Sequence, residues 1–503
     1  MFLLANQDVL FTLFQIIISM KVEQLYTGCL AQGAYFIESD GEVAIIDPLR
    51  ETEPYLKKAL NANATIKYIF ETHFHADFVS GHLDLAKKTG ANIVYGPDAD
   101  TTYEKLCATD GQIFKLGQVT IEVLHTPGHT LESTTYLLRD EMGKPHAIFT
   151  GDTLFIGDVG RPDLAQKRGS LTKEDLAGWL FDSLRNKIMP LPDDVIVYPA
   201  HGAGSACGKN MSSETFDLLG NQKKFNYALR ADMTKAEFIK EVTDGLQPPP
   251  QYFSKNAAAN KNGYDSVENV MKRGSRSLSP RAFETAAEVT GAVILDVRDK
   301  ADFCKGFVPN SIFIGLDGTF APWVGGLIPD LKQPILIIAP KGRNHETVKR
   351  LARVGYDHCI GYLQGGFEAW KADNRQVDTL PTINTRDFET IYTENPAINV
   401  LDVRKPTEWN TEHIVNSKNV ALDFINEQMS AIQKDTFYYM HCRSGYRSTI
   451  AASILKARGY DQLVNVVGSF DAIAKSAIPT TAFVCPSTLK LQTHRNIGDI
   501  ELK

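Results

Sequence analysis

Four short histidine and aspartate motifs lie in the first part of the chain. In order they are a His-x-His-x-Asp segment, a Gly-His pair, a Gly-Asp pair and an Ala-His pair, and they contain His73, His129, Asp152 and His201. Imidazole and carboxylate groups are common ligands of transition metals in proteins. A single histidine is more often structural, but four motifs in this order are difficult to obtain by chance. The sequence therefore predicts a metal site.

A second reactive group is Cys442, in the segment His-Cys-Arg-Ser-Gly-Tyr-Arg-Ser. A strand-like run at 437–440 precedes this segment, and a helical run at 449–458 follows it. A loop that leads directly into a helix presents backbone N–H groups and the positive helix end to its centre. Arg443 and Arg447 add positive charge, so we expect Cys442 to be a nucleophile that ionises readily and holds anionic sulfur.

The metal-site motifs lie in a region that predicts alternating strands and helices. Most of the histidines follow apolar runs, where strand ends bring side chains into a common cleft. The predicted helices include 53–60 and 83–89, and the predicted strands are 35–37, 43–46, 68–70, 93–95, 119–124, 147–149 and 195–198. This pattern predicts a layered α/β domain.

From about residue 278 the chain repeats itself at a spacing of about 100 residues. The segment Leu-Asp-Val-Arg that ends at Arg298 recurs with its end at Arg404, and Gly-Tyr-Asp recurs in the same way. In the first copy Pro340 stands where the second has Cys442, and Glu346 puts a negative charge in the same loop. The first copy therefore lacks a nucleophile, and we expect it to be catalytically silent.

The composition indicates a folded protein of several domains. The chain has 503 residues, of which 43% are hydrophobic and 22% charged, and this length predicts about three domains. A net charge of −7 without a long basic run gives no sign of a nucleic-acid partner. Seven scattered cysteines without a Cys-x-x-Cys pair argue against disulfides and a thiolate zinc site, so we expect a reducing, cytoplasmic location.

The first 20 residues are apolar but form a poor membrane span. Polar residues interrupt them, and neither a basic segment nor a cleavage site accompanies them. We expect no membrane partner. The alternatives for this extension are a translation start at Met20, a packed helix and a targeting segment.

The metal-site motifs resemble those of the metallo-β-lactamase superfamily, and both repeat copies resemble rhodanese domains. Together they resemble multidomain bacterial fusions of persulfide dioxygenase with rhodanese. The resemblance implies an α/β fold class, with an αββα metallo-β-lactamase-like sandwich followed by two rhodanese-like domains with central parallel sheets. The implied segments are an extension at 1–20, a metallo-β-lactamase-like domain at 21–250, a linker at 251–277 after three prolines, a silent rhodanese homologue at 278–378, an active rhodanese domain at 379–485 and a tail at 486–503.

The residue at position 78 bears on the kind of metal site. Dinuclear zinc hydrolases of this superfamily, glyoxalase II included, have a histidine there, whereas this chain has Phe78. The resemblance to the persulfide dioxygenase branch implies one Fe(II), bound by His73, His129 and Asp152, with zinc as the alternative metal. The same resemblance makes His75, Asp77 and His201 neighbours that orient these ligands, or alternative ligands.

Three further residues are candidates for contact with substrate or sulfur. Arg161 and Tyr198 are expected to bind substrate, with a salt bridge to Asp163 or Asp158 as the alternative for Arg161. Cys207 is either a small buried residue or a thiol that relays sulfur, its pKa lowered by Lys209.

The resemblance implies two reactions of sulfide oxidation. The iron site would oxidise a low-molecular-weight thiol persulfide, with glutathione or coenzyme A as carrier, by O₂ to sulfite and thiol. The rhodanese site would pass sulfur from a Cys442 persulfide to sulfite and form thiosulfate. We expect a homo-oligomer. The alternatives are a zinc-dependent, glyoxalase II-like thioesterase fused to a sulfurtransferase, and tandem rhodanese units that act as a docking module.

Overall fold

The computed structural model of the protein describes residues 20–166 and 170–485. The chain divides into two compact units, the first ending at Val267 and the second beginning at Glu268. Apart from Met20, the extension and the tail predicted at 1–20 and 486–503 lie outside the described residues. Within the described ranges, no helix is both long and apolar enough to span a membrane.

The first unit contains two six-stranded sheets of mixed direction. The first sheet has, in spatial order, β1 (Lys21–Thr27), β2 (Gln32–Ser39), β3 (Glu42–Ile46), β4 (Thr65–Glu71), β5 (Asn92–Tyr95) and β6 (Leu106–Cys107). The second sheet has, in reverse spatial order, β7 (Ile113–Leu116), β8 (Val119–His125), β9 (Thr134–Arg139), β10 (Pro145–Gly151), β11 (Ile196–Pro199) and β12 (Asp217–Leu218).

The two sheets pack face to face, and helices cover their outer faces. Ile37 and Phe70 of the first sheet share one buried core with Ile121 and Phe149 of the second. Helices α1 and α2 pack on the other face of the first sheet, and α3 and α5 on that of the second. These layers confirm the predicted αββα sandwich. The helices of this unit are α1 (Glu53–Asn61), α2 (His82–Thr89), α3 (Lys173–Ser183), α4 (Leu219–Phe225), α5 (Lys235–Thr243) and α6 (Phe253–Asn262).

The second unit contains two five-stranded parallel sheets with the same topology. The first has the order β13-β17-β16-β14-β15 and the second β18-β22-β21-β19-β20, so the structure agrees with the repeat. Their central strands are almost fully buried apolar runs, as expected for parallel sheets with both faces covered. The strands are β13 (Ser277–Leu278), β14 (Val293–Asp296), β15 (Ile312–Phe313), β16 (Ile335–Ile338), β17 (Cys359–Leu363), β18 (Thr382–Asn384), β19 (Asn399–Asp402), β20 (Lys418–Asn419), β21 (Tyr438–His441) and β22 (Leu463–Val467).

Helices flank these parallel sheets. Helix α7 begins at the boundary between the two units, and the longest helices of the two copies follow β13, β16, β18 and β21. The helices are α7 (Val267–Gly274), α8 (Pro280–Thr290), α9 (Lys300–Lys305), α10 (Phe320–Leu327), α11 (Asn344–Arg353), α12 (Gly366–Ala372), α13 (Thr385–Glu394), α14 (Pro406–Thr411), α15 (Ile425–Gln428), α16 (Tyr446–Lys456) and α17 (Phe470–Ala474).

The segment predicted as a linker at 251–277 is folded. Its first part forms α6, and residues up to Val267 belong to the first compact unit. The side chains of Asn256 and Asn260 are buried one helical turn apart. Asn260 donates to the backbone oxygens of His75 and Phe78 at 2.8 Å each. The linker prediction was wrong here, because tertiary hydrogen bonds from Asn260 hold this segment against the loop that contains His75 and Phe78.

Candidate metal centre and thiol site

Three buried side chains converge at the ends of strands in the first unit. His73 follows β4, His129 lies between β8 and β9, and Asp152 follows β10 directly. The Nε2 atoms of His129 and His73 lie 3.3 Å and 3.7 Å from Oδ2 of Asp152. Gly151, the residue before Asp152, packs closely against Thr72, the residue before His73. Glycine fits there because its φ is +53° and a β-carbon would lie 2.6 Å from the Thr72 hydroxyl. The sequence-predicted triad is therefore brought together.

The remaining ring nitrogens of the two histidines have partners that leave Nε2 free for a metal. His129 Nδ1 is 2.8 Å from the backbone oxygen of Arg161, so it is protonated and donates. His73 Nδ1 is 3.0 Å from the Thr72 hydroxyl, which itself donates to Asp47 at 2.8 Å and therefore accepts from the ring. Such outer partners orient ligating histidines.

Asp152 carries the observation that a metal fits this site. Its Oδ1 accepts a hydrogen bond from His201 Nδ1 at 2.7 Å. Its Oδ2 is buried without a hydrogen-bond partner and faces the two Nε2 atoms. A buried carboxylate oxygen without a donor is costly, and a cation bound by His73, His129 and Asp152 would satisfy it.

The protonation states at the triad are those that metal binding requires. Burial opposes ionisation of Asp152, but the adjacent imidazoles of His201, His73 and His129 outweigh it and lower the pKa of the carboxyl well below its usual range. Burial and the neighbouring His75 lower the pKa of His73 well below that of a free imidazole. The site therefore presents a carboxylate and a neutral imidazole.

His75 belongs to a different group of side chains. Its Nε2 lies 3.0 Å from Asp47 and 3.5 Å from Glu71. The fully buried Phe78 ring packs against the His75 imidazole, with 4.4 Å between centroids. A phenyl ring thus occupies the place beside His75 and offers no ligand.

The thiol site lies in the second unit, in the loop between β21 and α16. Cys442 is buried, and its Sγ accepts a hydrogen bond from the backbone N–H of Gly445 at 3.2 Å. The guanidinium of Arg447 forms a two-point ion pair with Glu408 at 2.6 Å and 2.8 Å, whereas Arg443 is exposed. Of the two arginines predicted to add positive charge, Arg447 is therefore neutralised by a carboxylate that the sequence did not identify.

Comparisons with known proteins agree with these two kinds of site. The model of the metallo-beta-lactamase superfamily matches residues 27–201, and that of the rhodanese-like domain matches residues 279–373 and 387–476. A solved structure called metallo-beta-lactamase, from Staphylococcus aureus, is 30% identical with a TM-score of 0.60, and the match covers 99% of it and 69% of this chain. The chain belongs to the metallo-β-lactamase superfamily. Two rhodanese-like domains follow its metallo-β-lactamase domain.

Relatives of the metallo-β-lactamase domain are named for two different activities. The human protein named mitochondrial persulfide dioxygenase ETHE1 is 30% identical over 228 residues, which is 44% of this chain and 78% of the human protein. The Schizosaccharomyces pombe protein named probable hydroxyacylglutathione hydrolase glo2 is 34% identical over 212 residues, which is 41% of this chain and 77% of the yeast protein. Sequence identity therefore does not choose between the two activities.

His201 and Asp77 extend the metal centre of the metallo-β-lactamase domain. His201 Nε2 lies 2.9 Å from Asp77, and its Nδ1 donates to Asp152. Burial would lower the pKa of His201, but the carboxylates of Asp152 and Asp77 outweigh burial and raise it well above the ordinary value. The imidazole therefore lies between two carboxylates and orients Asp152.

Cys207 lies beside this pair, but its thiol is not activated. The ligand atoms of Asp77, His201 and Cys207 lie within 4.8 Å of one another. Burial, reinforced by the charges of Asp152 and Asp77, raises the pKa of Cys207 well above that of a free thiol. The predicted lowering by Lys209 is wrong, because that ammonium donates to the backbone oxygen of Glu241 at 2.8 Å. The relay role of Cys207 stays a prediction.

Two predicted substrate contacts are not supported by the geometry. The buried Arg161 guanidinium binds Asp163 through two hydrogen bonds of 2.7 Å and 2.8 Å, which is the alternative stated for it from the sequence. Its contribution to the site is the backbone oxygen that holds His129. The Tyr198 ring stacks on Phe149, with 5.4 Å between centroids, within the core between the sheets. An ion pair therefore accounts for the difference at Arg161, and packing against Phe149 accounts for the difference at Tyr198.

A cavity of about 370 Å³ opens beside His129. One wall comes from the loops of the metal centre, and the other from the prolines before α6 and from α6 itself. Its mostly apolar lining suits a small organic substrate. The lining residues are Phe74, Ala76, His129, Thr130, Glu132, Asp163, Leu164, Ala165, Pro249, Pro250, Gln251, Phe253, Ser254, Ala257, Ala258 and Lys261. The sequence analysis did not predict that α6 lines this cavity. The signal for it in the sequence was the helical spacing of Asn256 and Asn260, which are both buried.

The first rhodanese-like domain has no cysteine in the loop that corresponds to the Cys442 loop of the second. Pro340 replaces the cysteine, and Arg343 forms ion pairs with Glu346 and with Asp317, both at 2.7 Å. Both domains retain the arginine that follows the Leu-Asp-Val strand, and in the second copy Arg404 binds Asp402 at 2.6 Å. The first copy therefore keeps the rhodanese framework, while ion pairs occupy the loop that would bind an anion.

Proposed function

We propose that the metallo-β-lactamase domain is a non-haem iron persulfide dioxygenase and that the second rhodanese domain is a sulfurtransferase. The observation that carries the first part is the donor set. Two imidazole nitrogens and one carboxylate oxygen converge at His73, His129 and Asp152, and Phe78, which packs against His75, offers no ligand. Relatives named as dioxygenase and as hydrolase share this domain, so the donor set is the distinguishing argument.

Two histidines and one carboxylate are typical of mononuclear non-haem iron centres with open positions for a substrate and O₂. Iron bound there would supply the activation of dioxygen. The chain itself fixes the ligands: the Thr72 hydroxyl and the Arg161 backbone oxygen orient His73 and His129, and His201 orients Asp152. These contacts set the orientation of the donor atoms before substrate arrives.

The cavity beside His129 is proposed to bind the persulfide. Its volume suits the reactive end of a carrier such as glutathione or coenzyme A, and its apolar wall from α6 limits access of water. The overall reaction would combine RSSH, O₂ and one water to give RSH, sulfite and two protons. One sulfur atom is oxidised and the other leaves as the thiol.

The second rhodanese domain is proposed to transfer sulfane sulfur through Cys442. A Cys442 persulfide would transfer its outer sulfur to sulfite, which breaks the S–S bond, forms thiosulfate and leaves the Cys442 thiolate. The Gly445 N–H stabilises negative charge on Sγ. Sulfite, the product of the first reaction, is the acceptor of the second.

Metal content and one ligand variant test the dioxygenase. Protein purified without oxygen and loaded with Fe(II) should consume O₂ when glutathione persulfide or coenzyme A persulfide is added. His129→Ala should lose this activity and most of the bound iron. His125→Ala is the matched control, since its imidazole contacts the backbone oxygen of Leu131 rather than the triad. Full activity in His129→Ala would overturn the assignment.

A zinc thioesterase is the second candidate, favoured by the hydrolase names of several relatives. It predicts that zinc-loaded protein hydrolyses a hydroxyacylglutathione thioester and that iron adds nothing. Thioester hydrolysis by the zinc form, with no oxygen uptake by the iron form, would replace the dioxygenase proposal with this one.

A further inference from the structure

A single peptide unit in the Cys442 loop makes a contact at each of its two ends. The N–H of Gly445 donates to Cys442 Sγ at 3.2 Å, and the carbonyl oxygen of Ser444 accepts from Lys300 Nζ at 2.7 Å. No peptide bond among the described residues is cis. In a planar trans peptide the N–H and C=O point in opposite directions. The Lys300 ammonium and the Cys442 sulfur therefore lie at opposite ends of one peptide dipole.

Lys300 comes from the silent rhodanese domain. It is the first residue of α9, and the Asp299 side chain caps this helix by accepting from Ala301 N–H at 2.7 Å. The cap fixes the start of α9, so the lysine side chain leaves from a defined position. Lys300 is half-buried, and its hydrogen bond to the Ser444 oxygen lies in an exposed part of the loop.

The first rhodanese copy also contacts Tyr446, the residue that follows Gly445. The Tyr446 hydroxyl donates to the backbone oxygen of Gly315 at 2.8 Å. A β-carbon on Gly318 would lie 2.3 Å from the Tyr446 ring, so the ring fits closely against this backbone. The Ser444–Gly445 peptide is thus held from both sides by the first copy of the repeat.

This restraint matters because Gly445 is easily reoriented. Its φ is +83°, in the left-handed region that glycine adopts without strain. Rotation of the preceding peptide would turn its N–H away from the sulfur. An ammonium on the carbonyl oxygen opposes that rotation and polarises the amide, which makes the N–H a stronger donor to an anionic sulfur.

We propose that Lys300 is a positioning residue for sulfur transfer at Cys442, supplied by the rhodanese copy that has no nucleophile of its own. The inference rests on the proposed sulfurtransferase function. Lys300 acts through the Ser444–Gly445 peptide on the thiolate and on the persulfide that replaces it. The silent domain is therefore part of the active site of its neighbour.

The test compares Lys300→Met, Lys300→Arg and Lys305→Ala in the full-length chain. Lys305 is on the same helix with its side chain 76% exposed, so Lys305→Ala is the matched control. The first measurement is the rate of Cys442 alkylation by iodoacetamide against pH, read from the Cys442 peptide by mass spectrometry. The second is kcat and KM for sulfur transfer from thiosulfate to cyanide, with thermal unfolding recorded for each variant.

Loss of the ammonium should slow the alkylation of Cys442 at neutral pH several-fold, because the Gly445 N–H becomes a weaker donor to the sulfur. The value of kcat for sulfur transfer should fall together with this rate. Lys300→Arg should restore most of both, and Lys305→Ala should match wild type. A loss of kcat that appears only with a lowered unfolding temperature, without slower alkylation, would overturn the inference.

The two proposals fail in different ways. If wild type and Cys442→Ser transfer sulfur equally, the sulfurtransferase proposal is wrong, while the alkylation profile still tests Lys300. If wild type is active and Lys300→Met has the wild-type alkylation profile and kcat, the positioning role is wrong and the sulfurtransferase remains.

Discussion

At the residue scale, partners outside the triad decide which nitrogen of each histidine faces the proposed metal position. Thr72 is the clearest case, because its one hydroxyl proton goes to Asp47 and its oxygen then accepts from His73. The motif containing His73 predicted a ligand but not its tautomer. That information comes from Asp47, at the end of β3, which the strands bring next to it.

Thr72→Val should weaken metal binding while keeping the shape of the side chain. Loss of the hydroxyl leaves His73 Nδ1 and Asp47 Oδ2 without this partner, and such changes typically cost about 10–100-fold in metal affinity. Competition with a colorimetric Fe(II) chelator measures the change. Thr72→Ser keeps the hydroxyl and is the control; equal iron retention in the valine and serine variants would contradict the role given to Thr72.

At the element scale, α6 connects the substrate cavity to the loop that contains the metal-site motif. Asn260 donates to the backbone oxygens of His75 and Phe78, and its own oxygen accepts from Ser80 N–H at 2.9 Å. These hydrogen bonds fix a loop that contributes His73, and the same helix lines the cavity. The segment is therefore a structural part of the metallo-β-lactamase domain.

Asn260→Ala should destabilise that domain by about 1–3 kcal/mol, because it leaves buried backbone groups without partners. Calorimetry of the full chain, following the transition that added metal raises, measures the effect. Asn262→Ala, on the exposed side of the same helix, should leave that transition unchanged. If the two variants unfold alike, α6 does not hold the metal-site loop.

Elements with strong local patterns could be predicted from the sequence, and those fixed by tertiary contacts could not. The run at 119–124 corresponds to β8, and the helix at 53–60 to α1. The apolar residues of β8 alternate along the strand, and those of α1 recur at the helical period. In contrast, α6 has an Ala/Asn-rich sequence without a clear apolar stripe, and Asn260 joins it to the metal-site loop by tertiary hydrogen bonds. The short strand β6 has too few residues to give a pattern.

At the scale of the whole molecule, the chain combines a metallo-β-lactamase domain with two rhodanese-like domains, of which only the second has a cysteine in its loop. The sequence predicted the loop around Cys442 because all of that motif is local. It could not predict Lys300, which lies in the other copy of the repeat and meets the loop only after both have folded. The same limit applies to Glu408, which neutralises Arg447.

The two activities should be separable by single substitutions. Cys442→Ser should abolish thiosulfate formation from persulfide and sulfite, because serine does not form a persulfide, and should leave oxygen uptake at the wild-type rate. Ion chromatography of thiosulfate, alongside an oxygen electrode, measures both. Cys107→Ser is the matched control, since that thiol is exposed and lies in the first unit. Undiminished thiosulfate formation in Cys442→Ser would favour a docking role for the rhodanese copies.

The most direct test of the dioxygenase is the ratio of O₂ consumed to sulfite formed. In the Cys442→Ser protein, loaded with Fe(II) and supplied with glutathione persulfide, sulfite accumulates because it is not converted to thiosulfate. The proposed reaction predicts one O₂ consumed for each sulfite and each glutathione released. Release of glutathione without oxygen uptake, or sulfite formation that is independent of iron, would contradict it.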